Sequence, residues 1–172
     1  YVNLNWHSTQ TELMPILIDS GAKILIAHSD LLAAFVEPLP AGISALVFTT
    51  PATIIERYPF KKSIDKMQAD AWENLNALLD DSPLMDSQPL RFRGMFSYTS
   101  GSTGQPKGIK REYDEQRPDP YTVFAGLAKN LLQLNSGDRF YIAAPLYHSA
   151  PHALTLSCLA AGDVEVFIEA KF

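Results

Sequence analysis

The chain is poor in cysteine, in unbroken apolar sequence and in positive charge, and each shortage removes a class of protein. One cysteine, Cys158, stands in 172 residues. No disulfide can form within the chain, which excludes a disulfide-stapled secreted scaffold. Lys and Arg number 14 against 19 Asp and Glu, a formal net charge of -5. That balance gives no general attraction for nucleic acid or an anionic membrane. No apolar run reaches the ~18–20 residues that cross a bilayer. The opening Tyr1-Val-Asn-Leu-Asn-Trp6 has no basic region followed by a hydrophobic stretch, so no signal peptide is expected. It has no initiator Met either, and a cropped, processed or longer parent is expected. A reducing, cytoplasmic setting fits the cysteine count. No internal repeat or low-complexity tract is present.

What remains is ordinary globular material: 47% hydrophobic and 19% charged residues, with 9 Gly and 12 Pro. Cys158 lies in the apolar run 153–161 and reads as a small packing residue. A catalytic thiol would need an activating base, and only His148 and His152 are near in sequence.

The apolar pattern alternates between helix and strand periods. Ser8-Thr-Gln-Thr-Glu12 offers capping residues ahead of Leu13, Ile16 and Leu17, and Pro15 is expected in the first turn of that helix. Gly21 ends it. Residues 23–27 and 44–48 read as two buried strands joined through a helix over residues 29–36, a parallel βαβ unit. Residues 49–60 read as loop. Ile64, Met67, Ala71, Leu75 and Leu78 keep helical spacing over 63–79, and 84–93 read as a connection. Strands are expected at 95–99, 107–111, 139–144 and 164–168. Helices are expected from Pro120, carrying Val123, Phe124, Leu127, Leu131 and Leu132 and closed by Asn135-Ser-Gly137, and over 149–161. Between Glu112 and Pro120 the sequence is polar and reads as surface loop. The expected class is α/β, layered βαβ units with a mostly parallel sheet. Residues 1–93 would form a first α/β lobe, and 94–172 a phosphate-loop hairpin and the start of a second.

The chemistry concentrates in Tyr98-Thr-Ser-Gly-Ser-Thr-Gly-Gln-Pro-Lys-Gly108. Gly101, Gly104 and Gly108 permit close approach of backbone to a ligand. Thr99, Ser100, Ser102 and Thr103 add hydroxyls, and Lys107 adds a mobile cation. Such a surface suits a polyphosphate, which presents many acceptor oxygens and several negative charges. A bare Ser/Thr/Gly stretch would read as a flexible turn. The apolar strand feeding this one and the Lys after Pro106 argue for binding. The P-loop pattern fails, because Lys107 is followed by Gly108-Ile109 and not by Ser or Thr at a helix start.

This string resembles the signature of the acyl-activating, adenylate-forming (AMP-binding) superfamily, Tyr/Phe-Thr-Ser-Gly-Ser/Thr-Thr-Gly-x-Pro-Lys-Gly. Its members include acyl-CoA synthetases, luciferases and peptide-synthetase adenylation domains. The segments from Asn5 to Leu13, Asp19 to Ile26 and Ala144-Pro-Leu-Tyr-His-Ser-Ala-Pro151 also look like acyl-CoA synthetase sequence, so the likeness spans nearly the whole chain. It implies part of the large N-terminal domain of a ligase. Such a ligase joins a carboxylic acid to the α-phosphate of Mg-ATP and passes the acyl group to coenzyme A. By matching positions, Thr99, Ser100, Gly101, Ser102, Thr103 and Gly104 would bind the β- and γ-phosphates, and Lys107 would stabilise the departing pyrophosphate. Tyr147 and His148 fall where the family places an aromatic residue and a histidine beside the acyl pocket. Two readings of them stand: gating and positioning of substrate, or packing for Tyr147 and helix capping for His148. His148 and His152 also have the i, i+4 spacing of metal ligands, with no acidic or Cys partner nearby; no metal site is assigned.

There are departures. Ile109-Lys-Arg-Glu112 replaces the Ser-His that commonly follows the signature, and Lys110 and Arg111 read as solvated or as widening the positive potential. The downstream Tyr-Gly-x-Thr-Glu and Thr-Gly-Asp segments, the hinge and the small C-terminal domain are absent. The chain alone is therefore expected to be inactive and, with strand edges and apolar faces uncovered, to dimerise or self-associate. A non-catalytic scaffold or interaction module derived from such a domain is the competing reading.

Overall fold

A computed structural model describes residues 1–33, 35–58, 73–81, 96–99, 106–109 and 119–168. It divides into two compact units, one of residues Trp6–Pro89 and one of Tyr1–Asn5 with Leu90–Phe172.

In the unit Trp6–Pro89, helix α1 (Gln10–Asp19) begins at the N-cap Thr9. Glu12 Oε2 accepts from the Thr9 amide at 2.7 Å and from its hydroxyl at 3.0 Å. These bonds, backbone first, draw the Glu12 pKa below the usual glutamate value. Leu13 and Leu17, one turn apart, are buried. Pro15 lies inside this helix and not in its first turn. Thr9 and Glu12 form the stronger start signal, and the exposed Pro15 costs one amide on the solvent side.

Strand β1 (Ile24–His28), helix α2 (Ser29–Leu32) and strand β2 (Ser44–Phe48) follow. The two strands pair in parallel from Ile24 opposite Ser44 to His28 opposite Phe48, so the expected βαβ unit is present. Its helix is shorter than the 29–36 expected, ending at Leu32. After it, the Gln10 side chain holds the backbone of Val36 and Glu37: its Oε1 accepts both amides at 2.7 and 3.0 Å, and its Nε2 donates to the Glu37 carbonyl at 2.6 Å. Residues 52–57 form a helix, α3 (Ala52–Arg57), where loop was expected. Pro51 occupies its N-cap, and no residue of the helix is buried. A helix without a buried stripe leaves no apolar period to read.

A short strand β3 (Glu73–Asn74) adds in parallel to β2, giving the order β1-β2-β3. Helix α4 (Leu75–Asp81) follows, with Leu75 buried. The helix expected over 63–79 is not continuous: Glu73 and Asn74 pair with β2, and the helix begins only at Leu75, where Asn74 Oδ1 accepts from the Asn76 amide at 2.9 Å. Residues 59–72, like the connection at 84–93, lie outside the described residues. The central strand β2 buries Leu46 and Val47 on opposite faces. Strand β1 was expected to be buried throughout, yet Ile24 and Ile26 are each 55% exposed while Leu25 is buried. Alternate residues point to opposite faces, so β1 covers one face only.

The unit containing the C-terminal half begins with an antiparallel pair, β4 (Ser97–Thr99) and β5 (Lys107–Ile109). Helix α5 (Pro120–Asn130) starts at Asp119, which accepts from the Thr122 amide at 3.3 Å, with Pro120 opening the first turn. It ends at Asn130, short of the Leu131 and Leu132 expected within it, and Gln133 then takes a positive φ that a helix does not allow. Strand β6 (Arg139–Ile142), helix α6 (Ser149–Ala161) and strand β7 (Glu165–Ile168) form a second parallel βαβ unit. Helices α5 and α6 pack on each other. Their fully buried residues are small: Ala128, Ser157 and Cys158. Ser157 and Thr155 return their hydroxyls to the carbonyls of Ala153 and Pro151 at 2.8 and 2.9 Å, which is how an apolar helix tolerates them. Cys158 is a core residue, and burial pushes its thiol pKa up. Among the described residues no helix is long and apolar enough to cross a membrane.

Candidate functional site

Strand β4 leads into the glycine-rich segment and β5 leads out of it. Their register pairs Ser97 with Ile109, Tyr98 with Gly108 and Thr99 with Lys107. The antiparallel ladder therefore brings the first hydroxyl residue of the signature opposite its lysine. Thr99 and Lys107, which flank that segment, are thus neighbours. Lys107 is exposed, as a cation offered to a solvent-borne anion must be. Ser100, Gly101, Ser102, Thr103 and Gly104 lie outside the described residues, as do Lys110 and Arg111.

Gly108 has a local reason to be glycine. A Cβ placed there would meet Phe96 Cζ at 2.7 Å and Tyr98 Cζ at 3.0 Å. The two aromatic rings are 5.0 Å apart at 66°, an edge-to-face pair lying against the glycine backbone. Aromatic cover of a strand glycine holds the short pair in register. Phe96 is also tied to the N-terminal segment: its amide donates to the Tyr1 carbonyl at 2.8 Å, and Val2 bridges to it in parallel.

Tyr147 and His148 sit on the turn between β6 and α6. Their rings are 4.5 Å apart at 48°. The His148 amide donates to the Pro145 carbonyl at 3.1 Å. His148 occupies the N-cap position of α6, but its side chain makes no capping hydrogen bond. The imidazole is exposed. The capping role weighed for His148 is therefore not seen, and its ring faces solvent beside Tyr147.

One turn on, His152 Nε2 lies 2.7 Å from the Tyr1 hydroxyl, with ring centroids 5.5 Å apart. Burial lowers the His152 pKa and raises that of Tyr1. Both shifts favour the neutral forms, which can share this hydrogen bond. Asn3 Nδ2 donates to the Leu146 carbonyl at 3.3 Å. No sequence signal links Tyr1 with His152, because no period or motif joins residues so far apart. No group of three His, Cys, Asp or Glu side chains gathers as a metal site among the described residues.

Asp30 is a buried carboxylate in the unit Trp6–Pro89. The Thr50 hydroxyl donates to its Oδ1, while Oδ2 has no partner among the described residues. The pair ties the start of α2 to the end of β2 and has a structural role.

The mixed helix and parallel-strand architecture is the α/β fold anticipated above. The family model for AMP-binding enzymes matches residues 1–171, and the chain belongs to that family. Among curated relatives, a very long-chain fatty acid transport protein of Cochliobolus heterostrophus is 30% identical over 103 residues, 57% of this chain and 15% of that protein. A naringenin synthase of Pestalotiopsis fici is 25% identical over 97% of this chain and 6% of its own length. Among solved structures, an acyl-CoA synthetase of Brucella canis has a TM-score of 0.69 at 18% identity, covering all of this chain and 29% of that one. A fatty acyl CoA synthetase of Mycobacterium tuberculosis gives 0.62 at 20% identity, covering 98% and 29%. The chain thus spans under a third of these structures and a smaller share of the curated relatives. The fold is shared with this group.

Proposed function

We propose that this chain is the phosphate-binding portion of an ATP-dependent, AMP-forming carboxylate–CoA ligase. The pairing of Thr99 with Lys107 carries the reading. It supports a segment, 99–107, whose ends are pinned together and whose exit carries an exposed ammonium group. The residues fit a triphosphate: hydroxyls and glycine amides over 99–104 supply donors, and Lys107 supplies charge.

In this reading the carboxylate substrate attacks the α-phosphate of ATP, giving acyl-adenylate and pyrophosphate; the acyl group then passes to the thiol of coenzyme A. Lys107 acts where negative charge grows on the leaving pyrophosphate, an electrostatic stabilisation that needs no covalent chemistry from the protein. Thr99, Ser100, Gly101, Ser102, Thr103 and Gly104 hold the β- and γ-phosphates. Magnesium bound with the triphosphate adds positive charge to the same oxygens. Tyr147 and His148 face the carboxylate, Tyr147 as a wall and His148 as an exposed imidazole. The setting is cytoplasmic. The isolated chain does not turn over, because groups contacting the α-phosphate and ribose lie elsewhere in the parent, and its uncovered apolar faces lead it to self-associate.

The test is ATP–pyrophosphate exchange by the full-length protein with a panel of carboxylic acids. Lys107→Ala should lower acid-dependent exchange on the order of a hundredfold, with Lys107→Arg recovering part of the loss. Exchange at the wild-type rate in Lys107→Ala would remove the role assigned to this lysine and the reading built on it.

A further inference from the structure

The segment Tyr1–Asn5 touches both parts of the candidate site within its own unit. At one end the Tyr1 carbonyl accepts from Phe96, and Val2 bridges to Phe96, the residue before the strand that enters the phosphate-binding segment. At the other end Asn3 donates to the Leu146 carbonyl at 3.3 Å, and the Tyr1 hydroxyl reaches His152 at 2.7 Å. Leu146 directly precedes Tyr147 and His148. The His152 amide donates to the His148 carbonyl at 3.2 Å, so the ring that Tyr1 holds is one helical turn from the exposed imidazole. The Tyr147–His148 turn is thus fixed from both sides, at Leu146 and at His152, by one segment that also fixes β4.

We propose that Tyr1 is a positioning residue for the carboxylate: its hydroxyl, through His152, sets the first turn of α6 and with it Tyr147 and His148. The proposal rests on the reading that those two residues face the acid. Tyr1 touches no reacting atom. Its effect is orientation, which changes how well the acid sits for attack while leaving the triphosphate contacts on β4 and β5 untouched. The hydroxyl is the group that matters. The Phe96 bond uses the Tyr1 backbone and survives any side-chain change.

In the full-length protein, Tyr1→Phe keeps the ring and removes the O–H. It should raise the KM for the carboxylate about three- to tenfold, the range one lost hydrogen bond produces, with KM for ATP held within about twofold. His152→Phe should act the same way, and the double variant should be no worse than either single one, since both remove the same bond. A merely structural role would lower the melting temperature and shift both KM values together; that outcome overturns the proposal. So does an unchanged carboxylate KM in Tyr1→Phe. The two readings fail separately. Wild-type protein without acid-dependent exchange sinks the proposed function and this inference with it. Normal wild-type exchange with an unaffected Tyr1→Phe sinks this inference alone.

Discussion

Cys158 has no exposed surface, and its thiol pKa is raised by burial. Reaction with an aromatic disulfide reagent needs the thiolate and access, and the folded chain withholds both. Modification in native buffer should therefore be slower than in denaturant by on the order of a hundredfold, with reaction waiting on opening of the α5–α6 pair. Fast labelling of native protein would mean that the small-residue contact around Cys158 is not closed. At this scale the sequence was readable where chemistry was local. An apolar neighbourhood sufficed to place Cys158 in a core, and Thr9 with Glu12 announced a helix start. It was unreadable where the partner is distant: Tyr1 with His152, and Asp30 with Thr50, meet only because strands bring them together.

Among the elements, the β4–β5 pair depends on a residue with no side chain. Phe96 and Tyr98 cover Gly108 so closely that a Cβ would sit 2.7 Å from the Phe96 ring. Gly108→Val should force the rings apart and cost about 1–3 kcal/mol, read as a lower urea midpoint of the full-length protein. A second variant that also trims Phe96 to Leu should regain part of it, because the obstruction is the ring. An unchanged midpoint in Gly108→Val would show that the rings do not seat on the glycine. The signature string exposed this hairpin in advance, yet for a different reason. Glycine there suggested room for a ligand, whereas its neighbours are the aromatic side chains of Phe96, just before β4, and of Tyr98 within it. Other elements were legible in proportion to their buried stripe. Helix α6 (Ser149–Ala161) has the limits expected of it. Helix α3 buries nothing and gave no period, and Pro15 suggested a later helix start than the Thr9–Glu12 cap enforces.

At the level of the whole molecule, apolar side chains remain uncovered on several strands. Ile24 and Ile26 on β1 are each 55% exposed, and Tyr141, Phe167 and Ile168 on β6 and β7 are 57%, 44% and 50% exposed. Sheet faces of this kind lower their free energy by meeting another surface. The 172-residue chain, purified alone, should elute from size exclusion ahead of a 19.0 kDa monomer, and more so as concentration rises. A single monomeric peak at high concentration would count against self-association. The α/β class was legible at this scale because strand and helix periods alternate along the chain. Which strand faces stay bare was not, since β1 is as apolar as any buried strand and only its position in the sheet order leaves Ile24 and Ile26 outside.

The pairing of Val2 with Phe96 has a consequence for synthesis on the ribosome. Residues Trp6–Pro89 form one continuous unit, but Tyr1–Asn5, made before them, belong with residues made after them. They must stay available until Phe96 and later His152 appear, closing a loop whose entropic penalty grows only as the logarithm of its length. Tyr1–Asn5 thus leave the ribosome before Trp6–Pro89 yet pair only once Phe96 has emerged.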